Sequence, residues 1–521
     1  MTLGSSIDIA STPKGDSETE SNHSTFNKII AIYTRDFYGK LYAIEIKKEC
    51  TIEREWQEFY ELFACLDGKS SMITNDVIEF HISKELAKRY IHDLQTPIKI
   101  SEYQKEGEQQ IRGCVSKVEV ASAFNDWFIY HVLDGCRLEN NSFPLISHDI
   151  KYDEMFTSFF EQQLKNSVVD EKWYETGREY FKSRVRYFTQ RYRRIECILP
   201  AFPCKSSNKN KVFSTIPDKG EELALKRLIF ATQQVRSFYP PGMKVWIVSD
   251  GHVFSDCIGV DDEVVSEYTS QLHTLYKNLS AQEPDAIGFC GLKELLFEGK
   301  SAKLFKSEWV AEVEMEHHTG TNICKYSDLC RQILMCGCDT DAGLLKKQIS
   351  TPGHPRLFLF RGFSKFMMED LALLPYFQNS SRKAFKKTIS KIAFNMIKRN
   401  DAYSNLVELV FPNHLRISIH AHVNSGPKFG IKVIAPEQCR TIKSLENIDE
   451  PKFEDLLHIP TPWHNCIVKI EKDYDNGNEL YMIKSKIIKD VIDQGKYVGY
   501  WEPGNIEKGK GGHFILRKTK P

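Results

Sequence analysis

The chain has 521 residues, 41% of them hydrophobic and 27% charged, and its 70 basic side chains balance its 70 acidic ones to a formal net charge of zero. That length exceeds one typical core, so two domains or one large α/β unit with an appended region are expected, while the neutral balance excludes a global field drawing the protein to nucleic acid or an anionic membrane. With no apolar stretch long enough to span a bilayer, no signal-peptide pattern at the N-terminus and 14 cysteines spread too thinly for a disulfide scaffold, a cytoplasmic protein with reduced thiols is predicted.

Residues 1–24 are rich in Ser, Thr, Asp, Glu and Gly and poor in aromatics, the composition of a disordered tail. Residues 25–130 read as a small α+β region without a motif that carries chemistry. Ile29–Tyr33 and Leu41–Ile46 predict a hairpin, and Glu53–Leu66 and Lys84–Leu94 repeat apolar residues at helical spacing. Residues 131–194 form a mainly helical connection, with helices over Met155–Leu164 and Trp173–Arg191. Arg184, Arg186 and Arg191 lie among aromatics there, but Glu171, Glu175 and Glu179 precede them, so a solvated helix face is expected rather than a nucleic-acid surface.

A larger α/β core spans residues 195–480. Ile195–Leu199 is a strand, and the basic, polar loop after it offers Lys205 and Ser206 to a phosphate, without P-loop or Gly-x-Gly-x-x-Gly spacing. Asp218, Glu221 and Glu222 read as first-turn charges of a helix over Leu223–Phe238. Val245–Val248 is a second strand, stopping at Ser249-Asp250-Gly251 and followed by an Asp-rich loop with His252, Asp256, Asp261 and Asp262. Ligands bind at the carboxyl ends of strands in open α/β sheets. Asp250 and His252 are therefore the candidate acid/base groups, because histidine exchanges protons near neutral pH, with Asp256 orienting His252 or the substrate.

A helix over Glu263–Leu279 and a sheet element at Asp285–Phe289 follow. Neither Glu312–His318 nor Cys324, Cys330, Cys336 and Cys338 has the spacing of a common metal site, so no metal is expected, and no cofactor motif is present. Pro355–Phe360 reads as a strand that presents Arg361 to a carboxylate at its end. Lys383–Asn400 is a lysine-rich amphipathic helix. Alternation over Leu415–His420 puts Arg416, Ser418 and His420 on one face of a strand. Arg416 is a further phosphate candidate. Phe429–Ile434 is another strand candidate, Trp463 a candidate aromatic wall and His464 a donor. Residues 481–521 read as a C-terminal elaboration in which Lys508–Gly512 is a mobile turn or tail.

Leu199–Ser206, Pro217–Leu225, Met243–Val265, Arg361–Phe363, Glu369–Leu371, Phe411–His420 and Thr461–His464 together resemble the pyoverdine/dityrosine biosynthesis family. The resemblance covers roughly residues 190–480, and that family contains bacterial isocyanide synthases and a fungal branch that starts dityrosine synthesis for the spore wall. It implies a Rossmann-like α/β core whose substrates are an aromatic amino acid, L-tyrosine on the fungal branch, and ribulose 5-phosphate. The sugar would supply one carbon to the amine, as an isonitrile or a hydrated N-formyl group, and the product would pass to a cytochrome P450. The resemblance raises Asp218 and Glu221 to substrate-site residues and implies no catalytic metal. His252 stands where the bacterial family is expected to carry arginine. Two other classes fit the residues alone: a non-catalytic sugar-phosphate or amino-acid binding protein, and a different amino-acid-modifying enzyme such as a pyridoxal-phosphate aminotransferase.

Overall fold

The computed structural model describes residues 28–36, 41–46, 70–74, 77–82, 97–117, 122–137, 150–297, 304–446, 461–471 and 479–519. The N-terminal part is a six-stranded antiparallel sheet of β1 (Ile29–Arg35), β2 (Leu41–Ile46), β3 (Ser70–Thr74), β4 (Val77–Ile82), β5 (Ile98–Gln104) and β6 (Ile111–Lys117), in the order β2-β1-β6-β5-β4-β3. The predicted hairpin is β1 with β2. The predicted tail at 1–24 and the helices over 53–66 and 84–94 lie outside the described residues. Helix α1 (Ala123–Gly135) is buried along most of its length. A helix apolar all round must be covered on more than one side, and α1 shares its core with both this sheet and the helices of the next unit.

That next unit begins with α2 (Tyr152–Phe159) and α3 (Arg178–Thr189), close to the predicted helices. Its centre is a five-stranded sheet of β7 (Ile195–Leu199), β8 (Met243–Val248), β9 (Ile287–Cys290), β10 (Leu415–Ser418) and β11 (Phe429–Gly430), in the order β11-β10-β7-β8-β9 with every pair parallel. Each residue of β7 is buried, as a central parallel strand covered on both faces requires. Helices α4 (Lys219–Phe238) and α6 (Asp262–Leu279) share one core with α2 and α3. On the other face pack α5 (Gly251–Ile258), α8 (Lys325–Cys336) and α11 (Arg382–Val410). The chain leaves β7 toward β8 and β9, then returns to the opposite side of β7 for β10 and β11. In open α/β sheets the crevice that binds ligands forms at such a switch point, which here lies between the carboxyl ends of β7 and β10.

The third sheet joins β12 (Arg440–Thr441), β13 (Cys466–Glu471), β14 (Glu479–Ile483), β15 (Tyr497–Glu502) and β16 (His513–Lys518) in the order β12-β14-β13-β16-β15, with α12 (Ser485–Asp493) beside it. Residue 480, the predicted end of the core, falls inside β14. Lys508–Gly512 is not a free tail. The Gly511 N–H donates to buried Glu222 at 2.9 Å, and the Lys219 N–H donates to the Gly512 carbonyl at 2.9 Å. A Cβ on Gly511 would stand 2.2 Å from the Asp218 carbonyl carbon, so only glycine permits this approach.

Two further expectations are corrected. Pro355–Phe360 is the start of helix α10 (Pro355–Leu371), not a strand. Pro355 occupies the first turn, where its missing N–H costs nothing, and the His354 ring accepts the Arg356 N–H. A short apolar run does not by itself distinguish strand from helix. The supposed Asp-rich loop is helical too, since α5 starts at Gly251 directly after Asp250. No helix among the described residues is long and apolar enough to cross a membrane.

Candidate active site

Asp250 stands at the carboxyl end of β8. The backbone below it is fixed by three contacts: the Tyr403 hydroxyl of α11 donates to the Ser249 carbonyl at 2.8 Å, the Ser249 hydroxyl donates to the Phe202 carbonyl at 3.1 Å, and the Gly251 N–H reaches back to the Ser249 hydroxyl at 3.3 Å. A Cβ on Gly251 would meet the Pro203 carbonyl oxygen at 2.2 Å. The loops after β7 and β8 thus touch through a glycine. Asp250 itself is half-buried, and no other described residue donates a hydrogen bond to its carboxylate. Burial pushes it up to about 6. An uncompensated carboxylate that titrates near neutrality can take a proton at one stage and return it at another.

His252 and Asp256, on α5, do other work. The His252 ring bonds Ser266 of α6 at 3.1 Å, and burial, reinforced by Lys293, holds it down at about 4. It is therefore a neutral imidazole at pH 7 rather than a group exchanging protons there. Asp256 does not orient it. Asp256 is buried and takes the Arg399 guanidinium of α11 in a fork (2.5 and 2.9 Å) and His317 Nδ1 at 2.9 Å. Burial opposes its charge, but Arg399 and then His317 hold its carboxyl well below the usual range. Beside it the fully buried Arg331 of α8 grips Asp262 at 2.7 and 3.1 Å and the His252 carbonyl at 3.0 Å. This network locks α5, and hence Asp250, to α8 and α11.

The basic loop after β7 is used internally. Lys205 is buried with its ammonium 2.7 Å from both Asp218 and Glu221 and 3.0 Å from the Pro462 carbonyl. Its three donors have partners, so none remains for a phosphate. Asp218 and Glu221 form the capping box of α4, and the Tyr268 hydroxyl donates to Glu221 at 3.1 Å. Burial pushes Asp218 up to about 8 despite Lys205. The Ser206 hydroxyl donates to Asp370 at 3.0 Å, and Lys211 pairs with the same carboxylate. Through Lys205, Ser206 and Lys211 the loop is fastened to α4 and α10.

The remaining candidates divide between the crevice and the outside. Arg361 sits in α10 and is exposed to solvent, because the segment carrying it is a helix rather than a strand ending in the site. Arg416 points from β10 toward α11, pairing with Glu408 and donating to the Ser404 hydroxyl at 3.3 Å. β10 lies between β11 and β7, so it is not an edge strand with a polar side turned to water. Ser418 is half-buried at the end of β10, and His420, just beyond, is exposed. Trp463 is buried, with its ring 5.1 Å from that of Phe202 in the loop after β7. His464 packs on Phe366 at 4.8 Å, and its Nδ1 has no hydrogen-bond partner among the described residues. Burial, then Lys211, Lys484 and His420, hold it well below its ordinary value, so it is neutral.

Four residues that sequence reasoning did not single out also belong here: Tyr403, Ser404, Lys428 and Lys484. Lys484 donates to the His464 carbonyl at 2.7 Å, and Lys428 reaches the Ser404 hydroxyl at 3.4 Å. The polar run Asp401–Asn405 inside an otherwise amphipathic helix was the available signal for the first two.

A family model described as pyoverdine/dityrosine biosynthesis protein matches residues 185–494. The chain belongs to that family. It is 58% identical over 496 residues to the spore wall maturation protein DIT1 of Saccharomyces cerevisiae, covering 95% of this chain and 92% of that one. It is 29% identical over 356 residues to an L-tyrosine isonitrile synthase of Xenorhabdus nematophila, covering 68% of this chain and 84% of the relative. Among solved structures, the PvcA protein of Pseudomonas aeruginosa superposes with a TM-score of 0.52 at 24% identity, covering 69% of this chain and 99% of that chain. That likeness concerns the fold. The family match ends at residue 494, so it takes in β13, β14 and α12 of the third sheet but not β15 and β16.

Proposed function

We propose that the protein is an isonitrile-forming enzyme of the dityrosine pathway, acting on L-tyrosine with ribulose 5-phosphate as the carbon donor. The observation that carries this reading is Asp250, an uncompensated, half-buried carboxylate beside the switch-point crevice. The names of its relatives, a spore wall maturation protein and tyrosine isonitrile synthases, support the substrate class. In this reading the tyrosine amine adds to the ketone of the sugar and water leaves to give an imine. One carbon–carbon bond at the former ketone carbon then breaks with its electron pair kept on that carbon, releasing the terminal carbon as formaldehyde as its hydroxyl loses a proton. The other breaks with its pair leaving on the three-carbon phosphate fragment, which takes up a proton, and the carbon stays on nitrogen as the isonitrile, which hydration would convert to the N-formyl group. Asp250 takes the proton released by the attacking amine and returns one to the departing hydroxyl. The product would then go to an oxidative coupling enzyme, a cytochrome P450.

The test uses the full-length chain with carbon-labelled ribulose 5-phosphate and L-tyrosine, followed by mass analysis. One labelled carbon on the tyrosine nitrogen is the expected result. A folded protein that transfers no label to tyrosine would remove the reading.

A further inference from the structure

The two buried lysines of the loop after β7 have carboxylates in contact: Lys205 has Asp218 and Glu221, and Lys211 has Asp370. The pair on β10 and beside β11 differs. Arg416 and Lys428 converge on one neutral hydroxyl, Ser404 Oγ, at 3.3 and 3.4 Å. Between them they have one carboxylate in contact among the described residues, Glu408, which bonds only Arg416 and is 43% exposed. Asp401, on the preceding turn of α11, is occupied by Arg356 and Thr340. The groups within electrostatic reach of Lys428 are Arg416 on β10, Asp401 on α11 and His422 in the segment between β10 and β11. Burial lowers both cations, Lys428 further because of Arg416: to about 10 for Arg416 and about 8 for Lys428. Gathering two half-buried positive charges around one hydroxyl is costly unless an anion completes the group.

We propose that Arg416, Lys428 and Ser404 form the subsite for the dianionic phosphate ester of the sugar substrate. Arginine offers a planar fork for two oxygens, lysine a point charge and serine a hydroxyl donor. β10 lies two strands from β8, and Ser404 follows Tyr403 on α11, whose hydroxyl donates to the Ser249 carbonyl next to Asp250. The phosphate end of the sugar is thereby held at a distance from the carbon that reacts beside Asp250. This assignment rests on the function proposed above for the sugar's identity, while the anion chemistry stands on the residues themselves.

The experiment is calorimetric titration of the full-length chain with ribulose 5-phosphate and with inorganic phosphate at pH 8, in two buffers of different ionisation heat. Phosphate is a dianion there, so binding should draw about half a proton onto a lysine titrating near 8. Lys428→Met is expected to weaken both ligands about 10- to 100-fold and abolish the proton uptake. Lys428→Arg, charged throughout, should bind but take up no proton, which keeps the test decisive should the methionine variant not fold. Unchanged affinity and uptake in folded Lys428→Met would overturn the subsite. So would a KM change confined to tyrosine, which would make this the carboxylate site. Phosphate-ester binding that is lost in Lys428→Met, in a wild-type protein that transfers no carbon, would leave the subsite standing and refute the proposed reaction instead. Carbon transfer by Lys428→Met with an unchanged sugar-phosphate KM would do the reverse.

Discussion

At the scale of single residues, charge compensation separates groups that hold the fold from those free to act. Asp250 has no side-chain partner among the described residues and is raised to about 6 by burial, whereas Asp256, deeper in the same segment, is gripped by Arg399 and His317. A carboxyl raised in the folded state binds more protons there than when unfolded, so its effect on stability turns unfavourable as pH climbs from about 4 through 6. Asp250→Asn should therefore stabilise the protein at pH 7 by about 1–3 kcal/mol, with the gain vanishing below about pH 4, while abolishing carbon transfer. Denaturant unfolding across that range, with single-turnover assays, checks both halves. Wild-type transfer should rise with pH through about 6. His317 has the opposite sign: Asp256, then Asp328, raise it to about 9. Its stabilisation is complete below about pH 6.5 and is lost as pH rises through about 9. His317→Gln should flatten that slope, removing up to about 2 kcal/mol at pH 6 after allowance for the ring's partial exposure. A variant whose stability falls as steeply as wild type between pH 6.5 and 9 would assign the slope to another group.

At the scale of elements, the short helix α5 matters more than its length suggests. With eight residues it would not persist alone. It is held by Arg331 and Arg399, which bind Asp262 and Asp256 and donate to the carbonyls of His252 and Val253. Arg399→Leu strands the buried Asp256 charge and should cost about 3–5 kcal/mol. Pairing it with Asp256→Leu should recover a large part of that loss, because a buried ion pair replaced by apolar groups is often neutral. Thermal or denaturant unfolding of the two single variants and the double variant measures the coupling, and additive losses would show that the two groups act independently. In sequence, Asp256 reads as a group orienting His252 or the substrate because both stand in the polar segment after β8; its partner Arg399 lies 143 residues away.

For the whole molecule, the three sheets are joined through shared packing rather than strung on linkers. The third sheet closes on the catalytic unit where Gly511 and Gly512 reach Glu222 and Lys219 at the start of α4. Ending the chain after Gly495 would remove β15 and β16, uncover β13, and leave buried Glu222 without the Gly511 N–H. Loss of cooperative unfolding and self-association are expected, read by thermal melting and size-exclusion chromatography. A monomer melting within a few degrees of wild type would return the segment to the status of a tail. The sequence by itself determined the local framework: the strands β7, β8 and β10, the helices α4 and α6, and the family to which the motifs belong. It did so because apolar periodicity and turn residues act over a few positions. Asp250 was legible for the same reason, as the first ionisable group after a buried strand. Tertiary structure alone decided that Lys205, Asp218 and Glu221 neutralise one another, that Arg361 faces solvent from a helix, and that Lys428 joins Arg416 at Ser404. Which charges cancel depends on which side chains are buried together, and the pairing of distant segments sets that, not their spacing along the chain.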